Sequence, residues 1–351
     1  MYALVLIEYS SKMLNKEFTY KIPDNMKVNV GNKVKVLFNK KTINGIVTSI
    51  ISETDVENLN EIVEVVNPDI YLNEELLKLG KYLSDVTFCT LIKAYQTMLP
   101  SSLKVKDVKN NYDKYDEYLV LNKDKDEIMN YINNNKRSKA KIDILNRLIV
   151  NGKINKKDVS IVYKKLLEEG IIRIEKKKKY RLNNNTLSKK CYTLTDDQQA
   201  VVDKVILDKS LIYLLYGITG SGKTIVYIDL IKKVLYKGKT AIMLVPEISL
   251  TTQMVNRLYS SFGSDVAILH SGLSDGEKYD EYTKINKGEV KVVVGTRSAI
   301  FAPLNNIGII IIDEEHTSSY KQESNPRYNT IDIAKKRSSY NNCPLILGSA
   351  T

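Results

Sequence analysis

The stretch GITGSGKT, residues 217–224, sets three glycines, a lysine and a hydroxyl in the spacing of a phosphate-binding loop. It follows the apolar run LIYLLY and precedes TIVYIDLIKKVL, which reads as a helix. Such a loop needs that context, because backbone N–H groups and the positive end of a helix hold phosphate oxygens. Gly217, Gly220 and Gly222, with Ser221 between them, let the backbone curl close to a ligand. Lys223 has the reach for the β- and γ-phosphates of ATP, and the Thr224 hydroxyl suits Mg²⁺. The second signal is IIIIDEEH, residues 309–316. A carboxylate ending a buried strand is the expected second Mg²⁺ anchor, which assigns that role to Asp313. Glu314 is the candidate general base for an attacking water. These residues predict a Mg²⁺-dependent ATPase, a class that holds many families.

The surrounding pattern supplies the elements that would position them. From Cys191 onward, apolar strands such as TAIMLVP, VVVGT and PLILGSAT alternate with helices. Strands without polar alternation, separated by helices, imply a parallel sheet covered on both faces, over residues 186–351. Residues 1–105 open instead with short β-branched patches, YALVLIEY, FTYKI, NKVKVLF, INGIVTSIIS and NEIVEVV, which predict a small β-rich domain. A helical stretch follows and stops at Pro100. Residues 106–135 are rich in Asn, Asp and Lys, with one helical interval, and read as a linker or a weakly packed edge. Residues 136–185 parse as helix, short helix, helix, then two strands around EKKKK, the order of a winged helix. In that reading Lys176, Lys177 and the two lysines after them touch nucleic-acid backbone; the plain alternative is a solvated basic turn.

A net charge of +12 over 351 residues suits a polyanionic partner, although the abundance of Lys, Asn, Ile and Tyr with no Trp also fits the bias of an AT-rich genome. Cys89, Cys191 and Cys343 stand far apart and the only histidines are His270 and His316, so no structural zinc site can be built from them. Isolated thiols fit a reducing compartment. The opening apolar run, Tyr2 to Ile7, is too short for a signal-peptide core, and no segment approaches the roughly 20 apolar residues of a membrane span. The expectation is a cytoplasmic protein with no membrane partner.

Further strings narrow the class. VPEISLTTQ (245–253), LHSGLS (269–274), GTRSAIFAP (295–303), DEEH (313–316) and GSAT (348–351) fall in the order and spacing of superfamily-2 helicases. With LTDDQQAV (194–201) they closely resemble the first motor lobe of the PriA family of primosomal helicases. FTYKIPDNMKVNVGNKVKVLF followed by NGIV resembles that family's amino-terminal DNA-binding domain, and the winged-helix segment lies where the family carries one. The resemblance covers essentially the whole chain. It implies a multidomain protein: a β-rich 3′-end DNA-binding domain, a winged-helix domain, and an α/β RecA-like P-loop lobe.

What the resemblance implies for function is a 3′-to-5′ DNA helicase that recognises branched DNA and restarts replication. Implied partners are branched and single-stranded DNA, primosome and helicase-loading proteins, and single-stranded DNA-binding protein. Residue by residue, Gln198 matches the glutamine that reads adenine. Pro246, Thr251, Thr296 and Arg297 sit in motifs that line the single-stranded DNA path. Phe18 and Tyr20 fall in the first motif of the 3′-end domain, while Tyr320, Arg327 and Tyr328 match an aromatic-rich loop. His316, Ser349 and Thr351 match residues that couple nucleotide state to DNA grip. Thr19, Asn39, Asn60 and Ile331 stand where the family commonly carries an acid, a glycine, a lysine and an arginine. The resemblance places the second lobe, with its arginine finger and zinc-binding cysteines, outside these residues, so the chain alone is expected to bind ATP and DNA but to turn over slowly.

Overall fold

In the computed structural model, which describes residues 1–9, 15–100, 114–182, 193–218 and 220–350, the first five strands pair as one antiparallel sheet. They are β1 (Tyr2–Ile7), β2 (Glu17–Lys21), β3 (Asn32–Phe38), β4 (Lys41–Ile51) and β5 (Ile62–Tyr71), in the order β2-β1-β4-β3-β5. Alternate residues of β1, namely Ala3, Val5 and Ile7, meet Val34, Val36, Val47 and Ile62 in a single core, as period-two patterning requires. Asn39 and Lys40 join β3 to β4 with φ of 47° and 63°. Positive φ at both central residues gives the turn that suits the twist of a hairpin, and asparagine tolerates it where glycine is common.

The sheet leads into two helices, α1 (Glu74–Thr87) and α2 (Leu91–Met98). Asn73 caps α1 by accepting from the Leu76 N–H at 2.9 Å, a bond of the kind typically worth about 1 kcal/mol. Leu76, Leu79 and Leu83 form the buried stripe of α1, and Tyr95 of α2 donates to the Leu77 carbonyl at 3.3 Å.

Residues 110–181 form a unit of their own. It contains β6 (Tyr115–Leu121), α3 (Lys125–Asn134), α4 (Lys139–Asn151), β7 (Lys153–Asn155), a 3₁₀ turn (Lys156–Asp158), α5 (Tyr163–Glu168) and β8 (Ile172–Lys178). Its antiparallel sheet has the order β7-β6-β8. Two expectations change here. The described part of the expected linker, residues 114–134, supplies β6 and α3, because Leu119 and Ile128 are needed to close a core with Ile144, Leu145, Leu148 and Leu166. The EKKK residues lie inside β8 and not in a turn between two strands; the strand expected after them comes from upstream, as β6.

The second half of the other unit is the lobe: α6 (Asp196–Lys204), β9 (Ile212–Tyr216), α7 (Lys223–Tyr236), β10 (Thr240–Leu244), α8 (Thr252–Phe262), β11 (Val266–Leu269), α9 (Asp275–Asn286), β12 (Val292–Gly295), β13 (Ile307–Ile312), α10 (Thr330–Asn341) and β14 (Leu345–Ser349). All six strands are parallel, in the order β11-β12-β10-β13-β14-β9. The apolar runs read from the sequence are these strands, and β10 to β13 are almost wholly buried. No helix among the described residues is long and apolar enough to cross a membrane.

The amino-terminal domain and the lobe form one compact unit. Their contact is polar and specific. Arg337 of α10, 0% exposed, grips both carboxylate oxygens of Glu75 at 2.8 Å and donates to the carbonyls of Ile300 and Ala302. Asn73 donates to Leu304 O and Asn305 Oδ1, the Tyr282 hydroxyl donates to Met98 O at 2.8 Å, and Asn286 donates to Tyr71 O.

Candidate functional site

The carboxyl end of β9 runs into the phosphate-binding loop, and α7 begins at Lys223 with Gly222 as its cap. Gly220 and Gly222 both have φ of +84°, a left-handed backbone that points successive N–H groups towards one side. A side chain at 222 would also run into the Gln198 amide. Gln198 is doubly held: its Oε1 accepts from the Thr195 N–H at 3.1 Å in a capping box at the start of α6, and its Nε2 donates to Ser221 O at 3.2 Å. The glutamine matched to adenine recognition thus lies against the phosphate loop. Lys223 Nζ folds back onto the carbonyls of Gly217 and Ile218, so its ammonium already occupies the mouth of the loop. Thr219 lies outside the described residues.

The neighbouring strand ends bring the acidic motif alongside. Asp313 follows β13, and its Oδ1 accepts from the Tyr227 hydroxyl at 3.0 Å, while its backbone carbonyl accepts from the Tyr320 hydroxyl at 2.7 Å. Burial raises both phenols above their usual range, with the Asp313 charge adding to the effect, so each keeps its proton and goes on donating. Glu314 has φ of 47°, a conformation that costs of order 1–3 kcal/mol for a non-glycine residue and persists only where the surroundings impose it. They do so here: Glu314 O accepts from Thr317 N, Glu315 N donates to Gly348 O at 2.9 Å, and the Glu314 carboxylate accepts from Ser249 Oγ at 3.4 Å.

The GSAT strand end closes the arrangement. Ser349 O accepts from the Gly217 N–H at 3.1 Å, and Ser349 Oγ lies 3.4 Å from His316 Nδ1. Phosphate loop, DEEH box and GSAT are therefore wired to one another through three adjacent strand ends; Thr351 itself lies outside the described residues. Gly348 is required by this wiring, because a Cβ there would overlap the Tyr227 hydroxyl and stand 2.9 Å from Asp313 Oδ1. Gly348→Ala is expected to push Tyr227 off Asp313 and to cost about 1–3 kcal/mol, the usual range for overpacking, read as a lowered midpoint in urea unfolding.

The donor set fits Mg²⁺. Asp313 uses Oδ1 for Tyr227 and keeps a second carboxylate oxygen, Thr224 stands in the first turn of α7, and Mg²⁺ is normally held by one or two carboxylates with waters and phosphate oxygens. Among the described residues no group of three His, Cys, Asp or Glu could hold a metal, and Cys89 and Cys343 are free thiols.

The residues assigned to DNA contact divide into three sets. Pro246, Thr251, Thr296 and Arg297 lie beyond the ends of β10 and β12, on the same side of the sheet as the phosphate loop. Thr251 caps α8 through Met254 N, and Arg297 donates to the carbonyls of Ser319 and Lys321. Arg327 is exposed, held through Nε by Glu323 O. Lys176 and Lys177 are exposed on β8, where Glu117 stands 3.9 Å from Lys176 and Asp116 lies 3.4 Å from Lys179, so the basic run is partly neutralised.

The third set is a correction: the structure takes three aromatic residues out of direct reach of DNA. Tyr20 is 3% exposed in the core of the first sheet, Tyr320 is 1% exposed beneath Asp313, and Tyr328, 8% exposed, packs edge-on against Phe301. Burial drives the Tyr328 phenol up to about 12. Phe18 is half-buried against Phe38, with Lys16 over its ring. Sequence reasoning missed Tyr227, Ser249, Glu75 and Arg337, whose partners lie far away in the chain.

Comparison with known proteins agrees with this geometry. Residues 4–100 match the 3′DNA-binding domain (3′BD) of PriA, and residues 195–351 match the DEAD/DEAH box helicase domain. The whole chain is 36% identical to the replication restart protein PriA of Bacillus subtilis, over 53% of that protein. Over its whole length the chain is thus similar to about half of a PriA protein. The Chlamydia muridarum PriA is 32% identical over the whole chain and 49% of its own length, and that of Synechocystis is 44% identical over 53% of the chain and 23% of its own length. The chain spans about half the length of the PriA relatives it matches from end to end.

Proposed function

We propose that this chain is the fork-binding and ATP-binding portion of a replication-restart helicase, moving 3′ to 5′ on DNA. The observation that carries the reading is the wiring of Lys223, Asp313, Glu314, His316 and Ser349 across neighbouring strand ends. In a nucleotide complex Lys223 exchanges the carbonyls of Gly217 and Ile218 for β- and γ-phosphate oxygens. Thr224 and Asp313 would hold Mg²⁺, which neutralises phosphate charge when bound. Glu314 takes the proton of the attacking water, released from Ser249 as the cleft closes. Loss of the γ-phosphate is passed by Ser349 and His316 to the DNA-side loops. Gln198 supplies adenine selectivity beside the loop.

DNA is proposed to meet the 3′-end domain, the unit of residues 110–181 as a winged helix, and the loops at Pro246, Thr251, Thr296, Arg297 and Arg327. The 351 residues as an isolated polypeptide are proposed to hydrolyse ATP slowly, since an arginine finger contributes roughly 10³–10⁵ in rate. Primosome proteins and single-stranded DNA-binding protein are the proposed protein partners, in the cytoplasm. The test uses the full-length protein with forked DNA. Glu314→Gln should retain ATP and fork binding while DNA-stimulated hydrolysis falls by about 10²–10⁴-fold, because an amide cannot accept the proton. Undiminished turnover in that variant would remove Glu314 from the reaction.

A further inference from the structure

The two residues read as Mg²⁺ anchors come from different elements. Thr224 stands in the first turn of α7, after β9, whereas Asp313 follows β13. β14 lies between those two strands, so their ends are offset by two strand spacings, roughly 9–10 Å. Some group has to fix one anchor relative to the other. Tyr227 bridges that gap: it lies on α7 about one turn after Thr224, is wholly buried, and its hydroxyl passes the end of β14 to donate to Asp313 Oδ1 at 3.0 Å. Gly348 of β14 leaves room for the passage, since a Cβ there would overlap the hydroxyl. The choice of acceptor sets this phenol apart. Buried Tyr95, Tyr282 and Tyr320 donate to backbone carbonyls, as a phenol carried into a core usually must find some partner, but Tyr227 donates to a carboxylate.

We infer that Tyr227 is a positioning residue for the Mg²⁺ anchor: acting through Asp313, it ties the carboxylate to the helix that carries Lys223 and Thr224, so that phosphate cradle and metal anchor keep one geometry. The bond engages one carboxylate oxygen and leaves the other for the ion. Outer partners of this kind orient metal ligands, and losing one typically costs about 10–100-fold in metal affinity. The inference rests on the Mg²⁺-ATP reading of the site and adds to it a residue that acts without touching the nucleotide.

The experiment measures the affinity of the whole chain for a fluorescent, non-hydrolysable ATP analogue in saturating Mg²⁺ and again in EDTA. The ratio of the two affinities is the contribution of the ion. Tyr227→Phe deletes the hydroxyl and leaves the ring in its core, so the ratio should fall by about 10–100-fold while affinity in EDTA holds. Asp313→Asn should lower the ratio as well. With Asp313→Asn already in place, Tyr227→Phe should lower it no further, as expected of two groups that act through one contact. Thermal unfolding is followed in parallel. A Tyr227→Phe chain that keeps the parental ratio, whether or not it melts lower, makes the hydroxyl merely structural and overturns the inference while the Mg²⁺-ATP reading stands. An equal fall of the ratio with and without Asp313→Asn overturns it too, since Tyr227 would then not act through that carboxylate. If the parent chain binds the analogue equally in Mg²⁺ and in EDTA, the reading and the inference both fail.

Discussion

Lys223→Ala is expected to weaken ATP binding by about 10²–10⁴-fold, measured by titration with a fluorescent ATP analogue. The size follows from two lost charge-assisted contacts, to the β- and γ-phosphates, at roughly 1.5–3 kcal/mol each. Among the described residues this ammonium bonds to the carbonyls of Gly217 and Ile218, at the open mouth of the loop, where water can replace it. The melting temperature should therefore hold, and fork binding by the amino-terminal domain should hold with it. ATP affinity within a factor of a few of the parent's would mean that residues 217–224 do not cradle phosphate. Lys223→Arg makes a useful companion, because it keeps the charge but replaces a point donor with a planar fork, and recovery should be partial.

The lobe was legible in the sequence because its signals are local. A glycine pattern between an apolar strand and a helix, and acids at the end of IIIIDEEH, announce a phosphate loop and a strand-end carboxylate without knowledge of tertiary contacts. Asp313 and Glu314 were placed by the apolar run that precedes them and Ser349 by the family resemblance, and the parallel sheet lines up the strand ends that carry them. What the sequence hid were side chains whose role depends on distant partners. Tyr227 reads as one more apolar position of α7, yet its hydroxyl aims at an aspartate 86 residues away. Tyr320 and Tyr328 look like exposed aromatics beside charged neighbours, and only packing shows that they face inward. The linker expectation failed for a related reason. In residues 114–134 Leu119 and Ile128 are diluted by Asn, Asp and Lys, so composition masks a strand and a helix whose partners lie downstream.

The same blindness conceals the joint between the amino-terminal domain and the lobe. Glu75 and Arg337 are 262 residues apart and sit in helices that read as ordinary amphipathic segments. Folded, Arg337 is wholly buried, holds Glu75 with two parallel bonds, and donates to Ile300 and Ala302 in the loop beyond β12. Removing one partner strands the other: Glu75→Ala leaves a buried guanidinium with carbonyl acceptors but no counter-charge, a change that typically costs about 3–5 kcal/mol. Thermal unfolding should fall by roughly 6–20 °C if the whole unit melts together. The paired substitution Glu75→Leu with Arg337→Met should regain most of that loss, because it removes both charges and refills the space with apolar atoms. DNA-stimulated ATPase of the full-length protein then separates two roles. If the pair merely stabilises, the double variant recovers activity along with stability. If it also aligns the GTRSAIFAP loop with the amino-terminal domain, the double variant folds and binds forks, yet its turnover answers to DNA more weakly than the parent's. A melting temperature unchanged in Glu75→Ala would show that domain and lobe are not held together by this pair.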